Sequence, residues 1–341
     1  MKIVTFVIPA YNSEQFLDKC ISSMLVPELL DKTEIIVVND GSVDGTCAAA
    51  NRYVTQYPHV VRLISQENKG HGGALNTGCA AATGKYLKVI DADDWVLTES
   101  LPQYIAQLEQ CESDVVLTHY HTVDITTGEI KNWKSFPSEF GSTYTFDVIL
   151  ADWHSFDRNL TFHGITYRTD FYRRFAQPLL EHVFYEDHEF ATFPCCHAQT
   201  VTPLDLFLYE YRIGDVNQSV SYANQLKRIG HTDAVLEQMA RKYQTLPDCP
   251  GKQYAARKIQ RLLISYLTTA LLVNPDKKAG RKLARQQMEK WGSGLAEIPA
   301  AVHQKYRFFC LLNRLHISKS AWDSILQSPL YNRLRKNKSF D

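Results

Sequence analysis

The sequence predicts an α/β fold: a mostly parallel central sheet flanked by helices, followed by a helical C-terminal region. Three observations carry this expectation. Near-continuous apolar, β-rich runs alternate with segments of helical period through the first 120 residues, the order that builds a parallel sheet covered by helices. Four of those runs end in polar, Gly-rich or carboxylate loops, as in sheets that hold a ligand beyond their carboxyl edge. Beyond Asn224 the pattern becomes helical throughout.

The elements follow in order. Lys2–Pro9 is a β-rich apolar run, and Ser13–Leu25 carries Phe16, Leu17, Cys20, Ile21 and Met24 at helical spacing. Glu34–Asn39 is almost wholly apolar, as expected of a strand buried on both faces. Asp44–Gln56 reads as a helix, Val60–Ser65 as a strand, Gly73–Ala82 as a small-residue helix and Tyr86–Ile90 as a strand. Glu99–Gln110 is helical and Asp114–His119 is a further strand. Residues 120–220 are mixed, with strand-like character returning at Leu206–Arg212. Helices are then expected at Leu226–Lys242, Gln253–Val273, Lys277–Trp291 and Val302–Leu315. In the second of these, Tyr254, Ile259, Leu262, Leu263, Tyr266, Leu267 and Ala270 form a stripe that should face a core.

The chain has 341 residues, 45% of them apolar and 22% charged, which excludes wholesale disorder. No stretch reaches the ~18 uncharged apolar residues of a membrane span; the nearest, Leu262–Val273, has 12. The N-terminal MKIVTFVIPAYN lacks a long apolar core and a small-residue cleavage site, so no signal peptide is expected. Eight cysteines without CxxC spacing read as free thiols of a reducing cytosol. Cys195-Cys196-His197 offers metal-binding atoms, but no second ligand pair accompanies it.

The formal net charge is zero, yet residues 1–220 carry 15 Lys/Arg against 29 Asp/Glu, a net of −14. Residues 221–341 carry 22 against 8, a net of +14. Two parts are therefore expected, 1–220 and 221–341. The acidic part suits a divalent cation, and the basic part suits an anionic acceptor, a membrane surface or another subunit. The opposing reading is that the halves attract one another or that Lys and Arg coat solvated helices. Nucleic acid is not expected, because no recognition module accompanies the charge.

The four loops hold the chemistry. Asp91-Ala92-Asp93, with Asp94 beside it, follows the apolar run KYLKVI. Two carboxylates two residues apart on extended chain can share one hard cation and its diphosphate, and three close acids repel one another without one. Asp40, at the second strand end, can accept a hydrogen bond from the imide of a uracil-like base, with the ring of Tyr11 alongside; the alternative is a helix cap. Asn68 and Lys69 can reach base, ribose or phosphate, while Gly70, Gly72 and Gly73 allow close backbone approach; the alternative is a turn and helix start. A Rossmann fingerprint is absent, since Pro9-Ala10-Tyr11-Asn12 follows the first strand, and GCAAATGKY at Gly78–Tyr86 lacks P-loop spacing and precedes a strand.

The segments VIPAYNSEQFLDKCISSM, EIIVVNDGSVDGT, ENKGHGGALNTGCAAATGKYLKVIDADD and YEDHEF together resemble the inverting family 2 glycosyltransferases of the GT-A fold. The resemblance covers roughly residues 1–220. It implies a nucleotide-sugar donor, most often a UDP-sugar, bound with Mn²⁺ or Mg²⁺. By that resemblance Pro9, Tyr11 and Asp40 form the base-binding set with Asn68 beside it. Asp91 is the ribose- or metal-associated acid, Asp93 the direct metal ligand and Asp187 the catalytic base. Tyr211, Arg212 and Ser219 resemble a diphosphate-binding segment. His71-Gly72-Gly73 departs from the Ser/Ala-Arg-Asn type of run found in many members. The expected role is transfer of a sugar to a glycan, a wall polymer or a polyprenyl-linked acceptor in the cytoplasm, at or near the inner membrane face, with the terminal cluster Arg333, Arg335, Lys336 and Lys338 as a docking element and a homodimer as a further possibility. A nucleotide-sugar-binding module without catalysis is the non-enzyme alternative. A nucleotidyltransferase would want a basic Gly-rich loop where Pro9–Asn12 stands.

Overall fold

In the computed structural model, residues 1–134, 141–215, 222–294 and 300–327 are described. Strands β1 (Val4–Ala10), β2 (Thr33–Asp40), β3 (Val61–Gln66) and β4 (Tyr86–Val89) alternate with helices α1 (Glu14–Ser22), α2 (Thr46–Gln56) and α3 (Gly70–Ala81). These four strands pair in parallel in the order β3-β2-β1-β4. Every residue of β1 and β2 is buried, which explains why both runs are apolar without alternation. Phe6, Ile8, Ile35 and Val37 pack on one face with Leu17 and Ile21 of α1 and Ala49 of α2. Ile36 and Val38 turn to the other face and meet Ala74 of α3. That helix lies very close to the sheet, because a Cβ on Gly78 would stand 2.3 Å from a methyl of Val7.

Beyond β4 come β5 (Trp95–Val96), α4 (Leu101–Gln110), β6 (Val115–Asp124), β7 (Ile130–Trp133), β8 (Tyr144–Thr145), α5 (Phe146–Ala151), α6 (Trp153–Phe156), β9 (Ile165–Arg168), α7 (Thr169–Phe175), α8 (Asp187–Thr192) and β10 (Thr200–Ile213). The sheet continues from β4 through β9, β6 and β10 to β5. β9 was not expected from the sequence. It has only four residues, too few to show a period, and it runs antiparallel between β4 and β6. β10 begins six residues before the strand-like run at Leu206 and pairs in parallel with β6 across register shifts.

Two compact units are present. Met1–Val216 and Thr245–Ala255 form the first, and Asn217–Gln244 with Ala256–Asp341 forms the second. Thr245–Ala255 belongs to the first unit although it lies far beyond residue 220. There the buried Tyr254 hydroxyl donates to Ala191 O at 2.7 Å.

The later helices are α9 (Tyr222–Lys227), α10 (Ile229–Thr245), α11 (Pro250–Thr268), α12 (Lys277–Gly294), α13 (Ala300–Arg314) and α14 (Lys319–Gln327). The single helix expected at Leu226–Lys242 is thus two, parted at Arg228 just before Gly230. The helix expected through Val273 turns π-helical over Thr269–Val273 and ends with Asn274 N donating to Thr269 O at 3.0 Å. The predicted stripe from Tyr254 to Ala270 is buried at every position. Within the second unit the buried Asn313 donates to Leu271 O and accepts from Arg281. Among the described residues no helix is long and apolar enough to cross a membrane.

Candidate active site

The parallel register brings the ends of β1, β2 and β3 level, with Ala10 beside Asn39 and Asp40 beside Gln66. Asp40 is 2% exposed. Its Oδ1 accepts from Gln66 Nε2 at 2.7 Å and from the backbone N–H of Lys69 at 2.9 Å. Its Oδ2 is buried and has no hydrogen-bond partner among the described residues. A buried oxygen of this kind costs free energy unless a donor meets it. Asn68 spends its amide on Asp40 O at 2.9 Å. The Lys69 ammonium lies 3.9 Å from Glu181. Pro9 is buried in β1, and Tyr11 stands 53% exposed just beyond it. Gln66, which no sequence motif marks, orients the acid.

After β4 the chain turns tightly, with Asp94 N donating to Asp91 O at 3.0 Å. Asp91 and Asp93 remain partly exposed, whereas Asp94 is buried. Its carboxylate accepts from the Tyr209 hydroxyl at 2.5 Å and from Arg212 N at 2.7 Å. Asp94 therefore ties the acid loop to β10. Burial pushes the Asp93 carboxyl up to about 6, helped by the adjacent Asp91 and opposed by Arg212. The Arg212 guanidinium lies 3.8 Å from Asp93, 3.3 Å from Asp215 and 4.8 Å from the Phe16 ring. Ser219 falls outside the described residues.

His71, in the first turn of α3, joins this loop to the YEDHEF segment. Its Nε2 meets Asp91 Oδ1 at 2.8 Å, and its Nδ1 meets Glu186 Oε1 at 2.5 Å. Burial opposes a charge on this imidazole, yet Asp91 and Glu186 outweigh it and hold the ring protonated well above the ordinary range. Gly72 follows because a Cβ there would stand 2.2 Å from Leu180 O and 2.9 Å from Glu186. The His71-Gly72-Gly73 run thus fastens α3 to the segment before α8.

Within the Glu186-Asp187 pair the roles divide by exposure. Glu186 is 2% exposed and points into the protein, while Asp187, the first residue of α8, is half-buried. Tyr185, just ahead of the pair, adopts φ +76, an uncommon conformation for a non-glycine residue that surrounding structure must impose. Asp187 lies close enough to His163 and Tyr211 to act electrostatically on both, as does Asp91. The candidate base thus borders the same space as the acid loop.

Glu189 is also buried, with Leu180 N donating to its Oε2 at 3.0 Å and its Oε1 without a hydrogen-bond partner among the described residues. Burial pushes its carboxyl up to about 8. From about pH 4.5 to about 8 the folded group keeps a proton that the unfolded chain has lost, so stability falls as pH rises through that window. Glu189→Gln is expected to match wild type near pH 4 and to exceed it by about 2–4 kcal/mol at pH 8.5. Urea unfolding at both pH values measures this; a difference independent of pH would refute the protonated assignment.

Asp91 and Asp93 offer two carboxylates to a hard cation, and Arg212 and His71 offset the charge of Asp93 only in part. Among the described residues no three His, Cys, Asp or Glu side chains form a cage for a metal ion. The pair therefore fits a cation whose other ligands come from a bound diphosphate. Among the described residues no disulfide joins any of the eight cysteines, and Cys195 and Cys196 are buried.

A family model described as "Glycosyl transferase family 2" matches residues 5–184, a little over half of the chain. The chain belongs to glycosyl transferase family 2. EpsH of Bacillus subtilis is 32% identical over 222 residues, 62% of this chain and 60% of its own length, so the chain spans less than two thirds of that relative. Residues 1–349 of S. aureus TarS in complex with UDP-GlcNAc superpose with a TM-score of 0.60 at 17% identity, covering 93% of each chain. The mannosyltransferase PcManGT from Pyrobaculum calidifontis, in complex with GDP-Man and Mn²⁺, gives a TM-score of 0.51 at 19% identity over 91% of this chain and 84% of its own. The shared architecture is the GT-A-type arrangement that the family resemblance implied.

Proposed function

We propose that this chain is a metal-dependent inverting glycosyltransferase that moves a sugar from a UDP-sugar to a hydroxyl of a glycan, wall polymer or lipid-linked acceptor. The observation that carries this reading is the buried, partnerless Asp40 Oδ2 on the sheet edge that also bears Asp91 and Asp93. A uracil imide N–H satisfies that oxygen, and Tyr11 supplies an aromatic face. TarS in complex with UDP-GlcNAc and PcManGT with GDP-Man and Mn²⁺ support a nucleotide-sugar and a divalent cation here. Mn²⁺ or Mg²⁺ held by Asp91 and Asp93 would neutralise the charge growing on the leaving diphosphate. Arg212 adds a fixed positive charge beside Asp93. Asp187 takes the proton of the acceptor hydroxyl as it attacks the anomeric carbon from the face opposite the diphosphate. One in-line displacement inverts that centre.

Residues 1–220 would be the donor-binding catalytic domain in this reading. The basic region 221–341 would dock an anionic acceptor, the inner membrane face or a second copy. The cluster Arg333, Arg335, Lys336 and Lys338 falls outside the described residues.

Thermal unfolding with UDP, GDP, CDP or ADP, each with Mn²⁺ or chelator, tests the donor assignment. UDP with Mn²⁺ at 100 times its dissociation constant should stabilise by about 2.7 kcal/mol. Asp93→Ala should abolish the Mn²⁺-dependent part. No response to any nucleotide, or a UDP response indifferent to Mn²⁺, would overturn the reading.

A further inference from the structure

Four rings run outward from the candidate base across one face of the sheet. Tyr211 meets His163 at 4.3 Å and a 30° tilt, His163 meets Tyr120 at 5.2 Å, and Tyr120 lies nearly parallel to Trp133 at 6.0 Å and 14°. The register explains the alignment: Tyr120 of β6 is opposite Trp133 of β7. The Trp133 indole N–H donates to Thr122 Oγ1 at 3.2 Å, which holds the ring in place. Tyr120 is buried and supports its neighbours, while Trp133, His163 and Tyr211 each keep an accessible part.

At the inner end, His163 feels both Asp91 and Asp187, yet burial keeps its imidazole neutral, down at about 4. Its ring makes no hydrogen bond among the described residues. At the outer end, the Lys131 ammonium is 4.7 Å and the Arg158 guanidinium 5.5 Å from the Trp133 ring. Both side chains are exposed, and neither pairs with a carboxylate among the described residues. This occurs in a region that carries 29 acidic against 15 basic residues, where unclaimed cations stand out.

We propose that the run from Tyr211 to Trp133 is the acceptor subsite, and that its occupant is a glycan bearing an anionic group beyond the sugar that is glycosylated. This rests on the reading of Asp187 as base. A sugar presents an apolar C–H face that packs on aromatic rings, with hydroxyls at its rim for a neutral imidazole to bond. A sugar lying over His163 and Tyr211 has its hydroxyls near Asp187, and the next residue along reaches Trp133. Lys131 and Arg158 then meet a phosphate or carboxylate there.

Saturation-transfer NMR titration of the full chain loaded with UDP and Mn²⁺ tests this with two disaccharide probes, methyl β-cellobioside and the same disaccharide phosphorylated at one 6-hydroxyl. The phosphorylated probe should bind about tenfold tighter. Trp133→Ala should weaken both probes about tenfold, whereas Trp133→Phe, which keeps a stacking ring, should recover most of the loss. The double substitution Lys131→Ala with Arg158→Ala should erase the preference for the phosphate and leave the neutral probe unchanged. Stabilisation by UDP and Mn²⁺ in the same samples reports folding and the donor site. Its absence in wild type would sink the donor reading. With it present, no binding of either probe, affinities unchanged in Trp133→Ala, or a phosphate preference that survives loss of both cations would overturn the acceptor subsite.

Discussion

Asp187→Asn should lower the rate of sugar transfer by about 10²–10⁴-fold, the usual worth of a positioned general base, while stabilisation by UDP and Mn²⁺ persists. The amide keeps the size and hydrogen-bonding reach of the side chain but cannot take a proton. Glu186 cannot substitute, because it is buried and its Oε1 is engaged by His71 at 2.5 Å. Glu189 cannot either, since burial keeps its carboxyl protonated up to about 8. Three adjacent acids are thereby sorted by environment into one accessible carboxylate and two buried groups. Steady-state transfer assays with the variant measure the effect. Retention of near-full activity would remove Asp187 from the chemistry.

His71→Leu should destabilise the first unit by about 3 kcal/mol or more, because deleting one member of a buried ion pair strands the other. Glu186 would then be buried with neither oxygen paired, since its Oε2 already lacks a partner among the described residues. For a unit of this size the loss corresponds to a fall in Tm of roughly 6–12 °C. Asp91 would also lose the contact that sets its carboxylate at 2.8 Å from the ring, so UDP binding should weaken along with stability. The double variant His71→Leu with Glu186→Leu should recover most of the stability, as apolar replacements of buried pairs commonly do. Calorimetry on the three variants decides the matter. A loss below about 1 kcal/mol in the single variant would show that the bridge holds nothing together.

Much of the candidate site is legible in the chain because it is local. Asp91-Ala92-Asp93 follows a buried strand, and a strand followed by a turn of acids needs no distant partner to be recognised. Asp40 follows EIIVVN in the same way, and the order of the four motifs identifies the family. Periodicity likewise predicts β1 to β4 and their helices, because burial on both faces leaves an unbroken apolar run.

Pairing partners are another matter. His71 and Glu186 are 115 residues apart, and neither position announces the other. The family resemblance singles out Asp187, but only burial shows that its neighbour Glu186 is a clamped carboxylate. Gln66 became visible as the residue orienting Asp40 once β2 and β3 were in register. β9 is too short to show a period, and its place between β4 and β6 is set by the edges it satisfies. Tyr120, Trp133, His163 and Tyr211 are far apart in sequence, and only the folded sheet brings their rings together.

The chain alone therefore established the family, the parallel half of the sheet and the acids at its carboxyl edge, since apolar period and turn chemistry act over a few residues. The tertiary structure decided which acids stay accessible and which are clamped or protonated. Those outcomes depend on burial and charge compensation between segments far apart in sequence, and no local pattern encodes them.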